Sequence, residues 1–325
     1  MKVFLNKTIP EAGMRLLQDS NKVELIQPES ENLTKEQWLD YCKQATVIAN
    51  VGKNNFDKDF FEQCPNVKAI ALFSVGYDHV AIEEATKRKI AVSNTPDVLS
   101  KATSDVAFLL MQSVSRKAAY NFDKVKTGKW YTDLNPTEDL GQQLYGKTLG
   151  IFGLGRIGYE MAKKCKYAFD MEIIYHNRNR NIEIEKELGA QYISFNELVQ
   201  LADVLSIHAN YTDEQENLFN RNVFEQMKNN SILINTARGG FINEEDLYEA
   251  LTSGKIWGAG LDVTNPEPME TTSALLSLSN VCVLPHIGSA TEEARNGMAE
   301  LMVQNVLAFA ENKKMPTIVN PEIYL

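Results

Sequence analysis

The feature that most restricts the fold is a rhythm. Short apolar, β-rich runs alternate with longer amphipathic stretches: KVFLN (2–6), KVELI (22–26), ATVIAN (45–50), VKAIALF (67–73) and IAVSN (90–94). Strands spaced by helix-length segments cannot close as tight hairpins, so they pair in parallel beneath covering helices. The rhythm restarts at TLGIFGLG (148–155) and continues through EIIYHN (172–177), VLSIHA (204–209), SILINT (231–236), GAGLDV (258–263) and VCVLP (281–285). One sheet of that size exceeds the usual domain, which predicts two α/β units. The stretch 102–128 reads as a bridging helix leading into an exposed arm. Ser289 and Glu292 read as a capping box for a second long helix, in which Met298, Leu301, Met302, Val306 and Phe309 recur at helical spacing.

Composition narrows the function classes. With 44% hydrophobic and 23% charged residues in 325, fibrous and disordered chains are excluded. The excess of 43 Asp+Glu over 33 Lys+Arg, a net charge of −10, argues against a dedicated nucleic-acid binder. Cys42, Cys64, Cys165 and Cys282 lack the close spacing of a disulfide framework or zinc site and read as buried thiols. Trp38, Trp130 and Trp257 read as packing residues. The opening residues hold no signal-peptide core and no segment is apolar enough to span a bilayer, so a cytoplasmic protein without membrane partners is expected. No motif for a metal site is present, and none is expected.

Gly153, Gly155 and Gly158 form G-x-G-x-x-G between an apolar strand and a helix predicted over 157–168. In that setting the first glycine permits a tight turn, the second lets a pyrophosphate approach the backbone, and the third lets helix and strand pack closely. The helix N-terminus would face the phosphates, with Arg156 adding charge. An ordinary glycine-rich turn is the competing reading. The second strand ends in His176-Asn177-Arg178-Asn179-Arg180, with no acid to take ribose hydroxyls, while Asp170 and Glu172 fall at its beginning. Arg178, supported by Asn177, suits a 2′-phosphate, so NADPH/NADP+ is expected as the preferred cofactor and NADH/NAD+ as the second.

Strand ends of a parallel sheet share one crevice. Arg238, Glu267 and His286 each follow an apolar run by a few residues. Histidine exchanges a proton near neutral pH, a carboxylate orients it, and a guanidinium grips a carboxylate while polarising a neighbouring carbonyl. Together they suit carbonyl reduction; a loop histidine, a solvent-facing glutamate and a structural arginine pair are the alternatives. His208 ends a further strand and reads as a cofactor-side wall or a packed strand-end histidine. The N–H groups of Val75 and Gly76 form a turn suited to a carboxylate.

The segments SVGYDH (74–79), NTPDVLSKATSDVAF (94–108), YGKTLGIFGLGRIG (145–158), ILINTARGG (232–240), GAGLDVTNPEP (258–268) and VLPHIGSAT (283–291) resemble the D-2-hydroxyacid dehydrogenase family, specifically its glyoxylate/hydroxypyruvate reductase branch, over essentially the whole chain. The resemblance implies an α/β fold of two Rossmann-like parallel-sheet domains joined by two interdomain helices. A flavodoxin-like substrate domain would comprise 1–98 plus 291–325, and a dinucleotide-binding domain 99–290, with a dimerisation arm at about 119–145 in a homodimer. Hinge closure is implied as well.

By the same resemblance His286 is the acid/base, Glu267 its partner and Arg238 the 2-oxoacid binder. Asn50, Val51, Val75 and Gly76 fall at substrate-side positions. Thr103, Gly153, Gly155, Arg156, Ile157, Gly158, Asn177, Arg178, His208, Thr236, Ala237, Asp262 and Gly288 fall at cofactor positions, Asp262 as the partner of the nicotinamide carboxamide. The expected reaction is NADPH-preferring reduction of glyoxylate or hydroxypyruvate to glycolate or D-glycerate, the partner being a small 2-oxoacid or D-2-hydroxyacid. A broad D-2-oxoacid reductase and a dinucleotide-sensing corepressor-like protein are the alternatives. Asn135–Gly141 holds no counterpart of the arm tryptophan of the animal reductases, and Asn210 departs from the usual residue after His208-Ala209.

Overall fold

The computed structural model describes residues 1–130 and 136–325. The chain forms two compact units, Met1–Leu99 with Ala290–Leu325, and Ser100–Ser289. Of the predicted arm at 119–145, positions 131–135 lie outside the described residues, Asn135 among them.

In the first unit β1 (Lys2–Leu5), β2 (Glu24–Ile26), β3 (Val47–Asn50), β4 (Ala69–Leu72) and β5 (Ala91–Ser93) form one parallel sheet in the order β2-β1-β3-β4-β5. This is the flavodoxin-like order expected from the sequence. Phe4, Ile48, Ile70 and Val92 from successive strands meet Trp38, Phe56 and Phe60 in one core. The helix Glu292–Ala310 packs on β3, β4 and the helix Glu11–Gln18. A Cβ at Gly13 would stand 2.8 Å from Ala299 Cβ, so the two helices meet almost backbone to backbone. The start of the long helix corrects the predicted Ser289 cap: Thr291 is the N-cap, and its hydroxyl accepts from the Ala294 N–H at 3.1 Å. The three-residue reach from a cap oxygen to the N3 amide selects Thr291.

In the second unit β6 (Thr148–Phe152), β7 (Glu172–His176), β8 (Gln191–Tyr192), β9 (Val204–Ile207), β10 (Ile232–Asn235), β11 (Gly258–Leu261) and β12 (Val281–Val283) form a parallel sheet in the order β12-β11-β10-β9-β6-β7-β8. Side chains alternate between two buried faces. Leu149, Ile151, Ile173, Tyr175, Val204, Ile232 and Ile234 belong to one core cluster. Phe152, Ile174, Leu205, Ile207 and Leu233 belong to the other. Burial on both sides explains why these strands read as nearly continuous apolar runs. The helix Ser100–Ser115 packs on β10, β11 and the helix Arg156–Phe169. The small residues of β11 make room for it: Cβ atoms at Gly258 and Gly260 would stand 2.6 Å from Val114 Cγ1 and 2.9 Å from Leu110 Cβ.

Trp38 is buried, but Trp130 is 78% exposed, which corrects its reading as a packing residue. No helix of the described residues is long and apolar enough to cross a membrane.

Candidate active site

Chain order reverses direction at β6, because β7 and β8 lie on one side of it and β9 on the other. The carboxyl ends of β6 and β9 therefore flank the topological switch point, where α/β sheets bind ligands. The glycine loop is built there. Gly153 has φ +99°, and a Cβ on it would stand 2.3 Å from the Ala209 nitrogen, so only glycine allows the loop to touch the end of β9. At Gly158 a Cβ would stand 2.5 Å from the Gly153 carbonyl oxygen, which keeps the helix against the strand. A Cβ at Gly155 would meet nothing within 4 Å. The helix Arg156–Phe169 has Gly155 as its N-cap and receives no side-chain cap, so its first-turn N–H groups, including that of Ile157, are oriented for an anion. These features fit a dinucleotide pyrophosphate.

Asn177 and Arg178 follow β7 and take different positions. Asn177 Oδ1 accepts from the Leu154 N–H at 2.6 Å, and its Nδ2 donates to the Leu154 carbonyl at 3.2 Å, pinning the glycine loop. Arg178 is exposed. Arg180 is held by Glu185 at 2.5 Å, and Glu185 also accepts from Tyr175 Oη at 2.6 Å. Among the described cations at this tip, Arg178 is therefore the one without a carboxylate partner. Asp170 precedes β7 and Glu172 opens it, at the end opposite Arg178.

His208 lies beyond β9, its ring nitrogens Nε2 and Nδ1 meeting the hydroxyls of Ser206 and Thr236 at 2.8 and 3.3 Å. Burial pulls its pKa down to about 3, so the ring is neutral at physiological pH. Ala237 donates its N–H to Asn235 Oδ1 at 3.0 Å, and Asn235 Nδ2 donates to the Arg238 carbonyl at 2.7 Å. One buried asparagine at the end of β10 thus shapes the turn that presents Arg238. Arg238 Nη1 donates to the Ala237 carbonyl at 2.8 Å.

The Arg238 turn and the Glu267 loop lie in backbone contact. A Cβ on Gly239 would stand 2.1 Å from the Thr264 carbonyl carbon, so no larger residue fits. Glu267 accepts a hydrogen bond from His286 Nδ1. His286 Nε2 makes no hydrogen bond among the described residues, and the side chain is 39% exposed. With Nδ1–H held by the carboxylate, Nε2 is the ring nitrogen left open. His286 adopts φ +53°. Its loop is anchored by Asp262, whose two carboxylate oxygens accept from Ile287 N–H and Gly288 N–H, each at 2.8 Å. Burial raises the Asp262 pKa, while those two hydrogen bonds and nearby His286 oppose the rise. Gly288 also stands close to its neighbours: a Cβ there would be 3.0 Å from Asp262 Oδ2 and 3.2 Å from Thr103 Cγ2.

The substrate-side positions belong to the first unit. Asn50 Nδ2 donates to the Gly52 carbonyl at 2.8 Å and its Oδ1 accepts from Asn54 at 2.7 Å. The Val51 N–H donates to Asn6 Oδ1 at 2.7 Å and its carbonyl accepts from Asn6 Nδ2 at 2.9 Å. These groups shape their own loop. Val75 and Gly76 differ: their carbonyls accept from Asn94 and Ser74, each at 2.8 Å, while their N–H groups make no hydrogen bond among the described residues.

Sequence reasoning missed Asn235, Ser206 and Gly239, and did not foresee Asp262 as an anchor or Asn177 as a pin. An asparagine or aspartate closing an apolar strand was the available signal, since buried polar side chains at such positions must be spent on the adjoining turn. Among the described residues no cluster of three or more His, Cys, Asp or Glu side chains is arranged to hold a metal ion.

The description "D-isomer specific 2-hydroxyacid dehydrogenase, NAD binding domain" matches residues 108–288. A glyoxylate reductase of Thermococcus litoralis is 41% identical over 325 residues, covering 99% of this chain and 97% of its own. The structure of a glyoxylate reductase from Paecilomyes thermophila superposes with TM-score 0.89 at 34% identity, covering 98% of both chains. That of an NADPH-dependent glyoxylate/hydroxypyruvate reductase from Sinorhizobium meliloti, in complex with NADP and malonate, superposes with TM-score 0.82 at 30% identity, covering 98% of this chain and 96% of that one. The glycine loop at the switch point, the strand-end His–Glu pair and these likenesses together make the chain a member of the D-isomer specific 2-hydroxyacid dehydrogenase family.

Proposed function

We propose that the protein reduces glyoxylate or hydroxypyruvate to glycolate or D-glycerate with NADPH as preferred reductant. The observation that carries this reading is the His286–Glu267 pair, held beside the Arg238 turn at the carboxyl end of the second unit's sheet. When bound, the nicotinamide supplies a hydride to C2 of the 2-oxoacid. His286 Nε2 gives a proton to the carbonyl oxygen, which stays on C2 as the product hydroxyl, and takes it back in oxidation. Glu267 holds Nδ1 and fixes the ring so that Nε2 is the donor. Arg238 grips the carboxylate and its guanidinium polarises the adjoining carbonyl; in the first unit, the unused N–H groups of Val75 and Gly76 are donors of the kind a carboxylate takes.

The cofactor is assigned to Gly153, Gly155, Arg156, Ile157 and Gly158 at the pyrophosphate and to Arg178 at the 2′-phosphate. Thr103, His208, Thr236, Ala237 and Gly288 are assigned to the surrounding wall. Asp262 keeps a lone pair on each oxygen for the carboxamide after anchoring its loop. We further infer a homodimer, supported by the exposed Phe122, Val125 and Trp130 in and after the helix Ala118–Lys126, and a cytoplasmic location, supported by four free, buried thiols.

The test is a panel of glyoxylate, hydroxypyruvate, pyruvate and one bulky 2-oxoacid, each with NADPH and NADH. The first two are expected to give the highest kcat/KM, with NADPH favoured. Equal rates on all four would favour the broad reductase, and no turnover with any would refute the reading.

A further inference from the structure

We propose that Arg295 supplies the positive charge of a carboxylate-binding cradle on the first unit, formed with the N–H groups of Val75 and Gly76. The inference rests on the 2-oxoacid reading above and adds a residue to it.

Arg295 lies in the first turns of the helix Glu292–Ala310, which packs on β4. Its guanidinium carbon stands over the Phe73 ring, 5.7 Å from the centroid. Phe73 leads directly into the Val75–Gly76 turn, and its own N–H is spent on the Asn50 carbonyl at 2.8 Å. Arg295 is partly buried, and among the described residues its guanidinium makes neither a hydrogen bond nor an ion pair. A guanidinium carries five donors and never releases its charge in a protein, so partial burial without a partner is costly. The cation–π contact with Phe73 offsets part of that cost and fixes the side chain. Burial is also the sole cause drawing the Arg295 pKa below the usual guanidinium value.

The nearby turn holds complementary groups. Val75 and Gly76 direct their carbonyls to Asn94 and Ser74 and leave two adjacent N–H donors unused. Paired backbone donors near an unneutralised cation form an anion site, and on the 2-oxoacid reading its occupant is the substrate carboxylate. Only Ser74 separates Phe73 from Val75, and the reach of side chain and backbone keeps the charge within roughly 15 Å of the Val75 N–H. Within that range a unit charge near a protein surface changes anion affinity by several-fold to about tenfold at low salt.

The experiment titrates oxalate, an unreactive carboxylate, calorimetrically into the full chain and into Arg295→Gln and Arg295→Lys, with glyoxylate kinetics and melting temperatures measured alongside. Arg295→Gln is expected to weaken oxalate and raise the glyoxylate KM about tenfold at low salt, with the KM for NADPH unchanged. Arg295→Lys should recover most of the loss, and added NaCl should shrink the difference. Oxalate binding that is equal in wild type and Arg295→Gln would overturn the proposal. So would equal losses in both variants with lowered melting temperatures, since that marks a packing role on Phe73. Wild type that binds oxalate through Arg295 yet reduces no 2-oxoacid would refute the reductase reading alone.

Discussion

Two neighbouring residues after β7 differ in whether the fold spends their side chains. Asn177 spends both ends of its amide on Leu154, whereas Arg178 projects from the same turn as an exposed cation. Asn177→Ala should therefore loosen the glycine loop and weaken NADPH and NADH alike. Arg178→Glu should weaken NADPH by about 10- to 100-fold while sparing NADH, since it replaces a charge pair by repulsion. Fluorescence titration of each variant with both coenzymes separates the two roles; an unchanged preference in Arg178→Glu would contradict the phosphate assignment. The sequence made the charge of Arg178 legible but not the direction of Asn177, which depends on a carbonyl and an amide 23 residues away. His208 gives the pH dependence at this scale. Its folded pKa of about 3 lies below the unfolded value of 6.5, so protons favour the unfolded chain between those limits. Stability should fall as pH drops through that window, by at most about 1.4 kcal/mol per pH unit. Urea unfolding at pH 7 and pH 5 should show wild type losing about 1–2 kcal/mol relative to His208→Gln; parallel losses would mean that the imidazole titrates normally.

At the level of elements, the strands were readable because each is a short apolar run, buried on both faces in the second unit. The exception is β8, only 2 residues long, Gln191–Tyr192, at the sheet edge, with no periodicity to detect. Helix starts were less legible. Ser289 and Thr291 both stand before the long helix, and three-residue spacing to an acid selected the wrong one, because the tertiary packing of 292–310 decides where helical geometry begins. Thr291→Ala is expected to cost about 1 kcal/mol, whereas Ser289→Ala should lie within about 0.5 kcal/mol of wild type. Thermal unfolding compares them, and the opposite ranking would restore Ser289 as the cap. Glycine positions carried more information than their motif suggested. Gly239 and Gly288 sit outside the G-x-G-x-x-G pattern, yet they set the approach of the Arg238 turn to the Glu267 loop and of the His286 loop to Asp262. Nothing in sequence spacing marks a glycine as the meeting point of two loops.

Across the whole molecule, parallel topology brings residues distant in sequence to one edge: Arg238, Asp262 and His286 each follow a strand in one uninterrupted run, β10, β11 and β12. The strand-end placement of Arg238 and His286 was legible once the strands were placed, whereas Asp262 was marked only by the family resemblance and the hydrogen bonds of its loop by neither. A chain of net charge −10 that binds anionic ligands must concentrate its cations locally, and Arg178, Arg238 and Arg295 have that role in the proposed chemistry. The most direct test of the chemistry is single-turnover reduction of glyoxylate, followed by loss of NADPH absorbance, in wild type and His286→Ala, with NADPH affinity measured on both. The His286–Glu267 arrangement predicts a fall in rate of about 10²–10⁴-fold with NADPH affinity within about twofold of wild type; a variant that reduces glyoxylate at the wild-type rate, or loses NADPH binding in step with turnover, would contradict it.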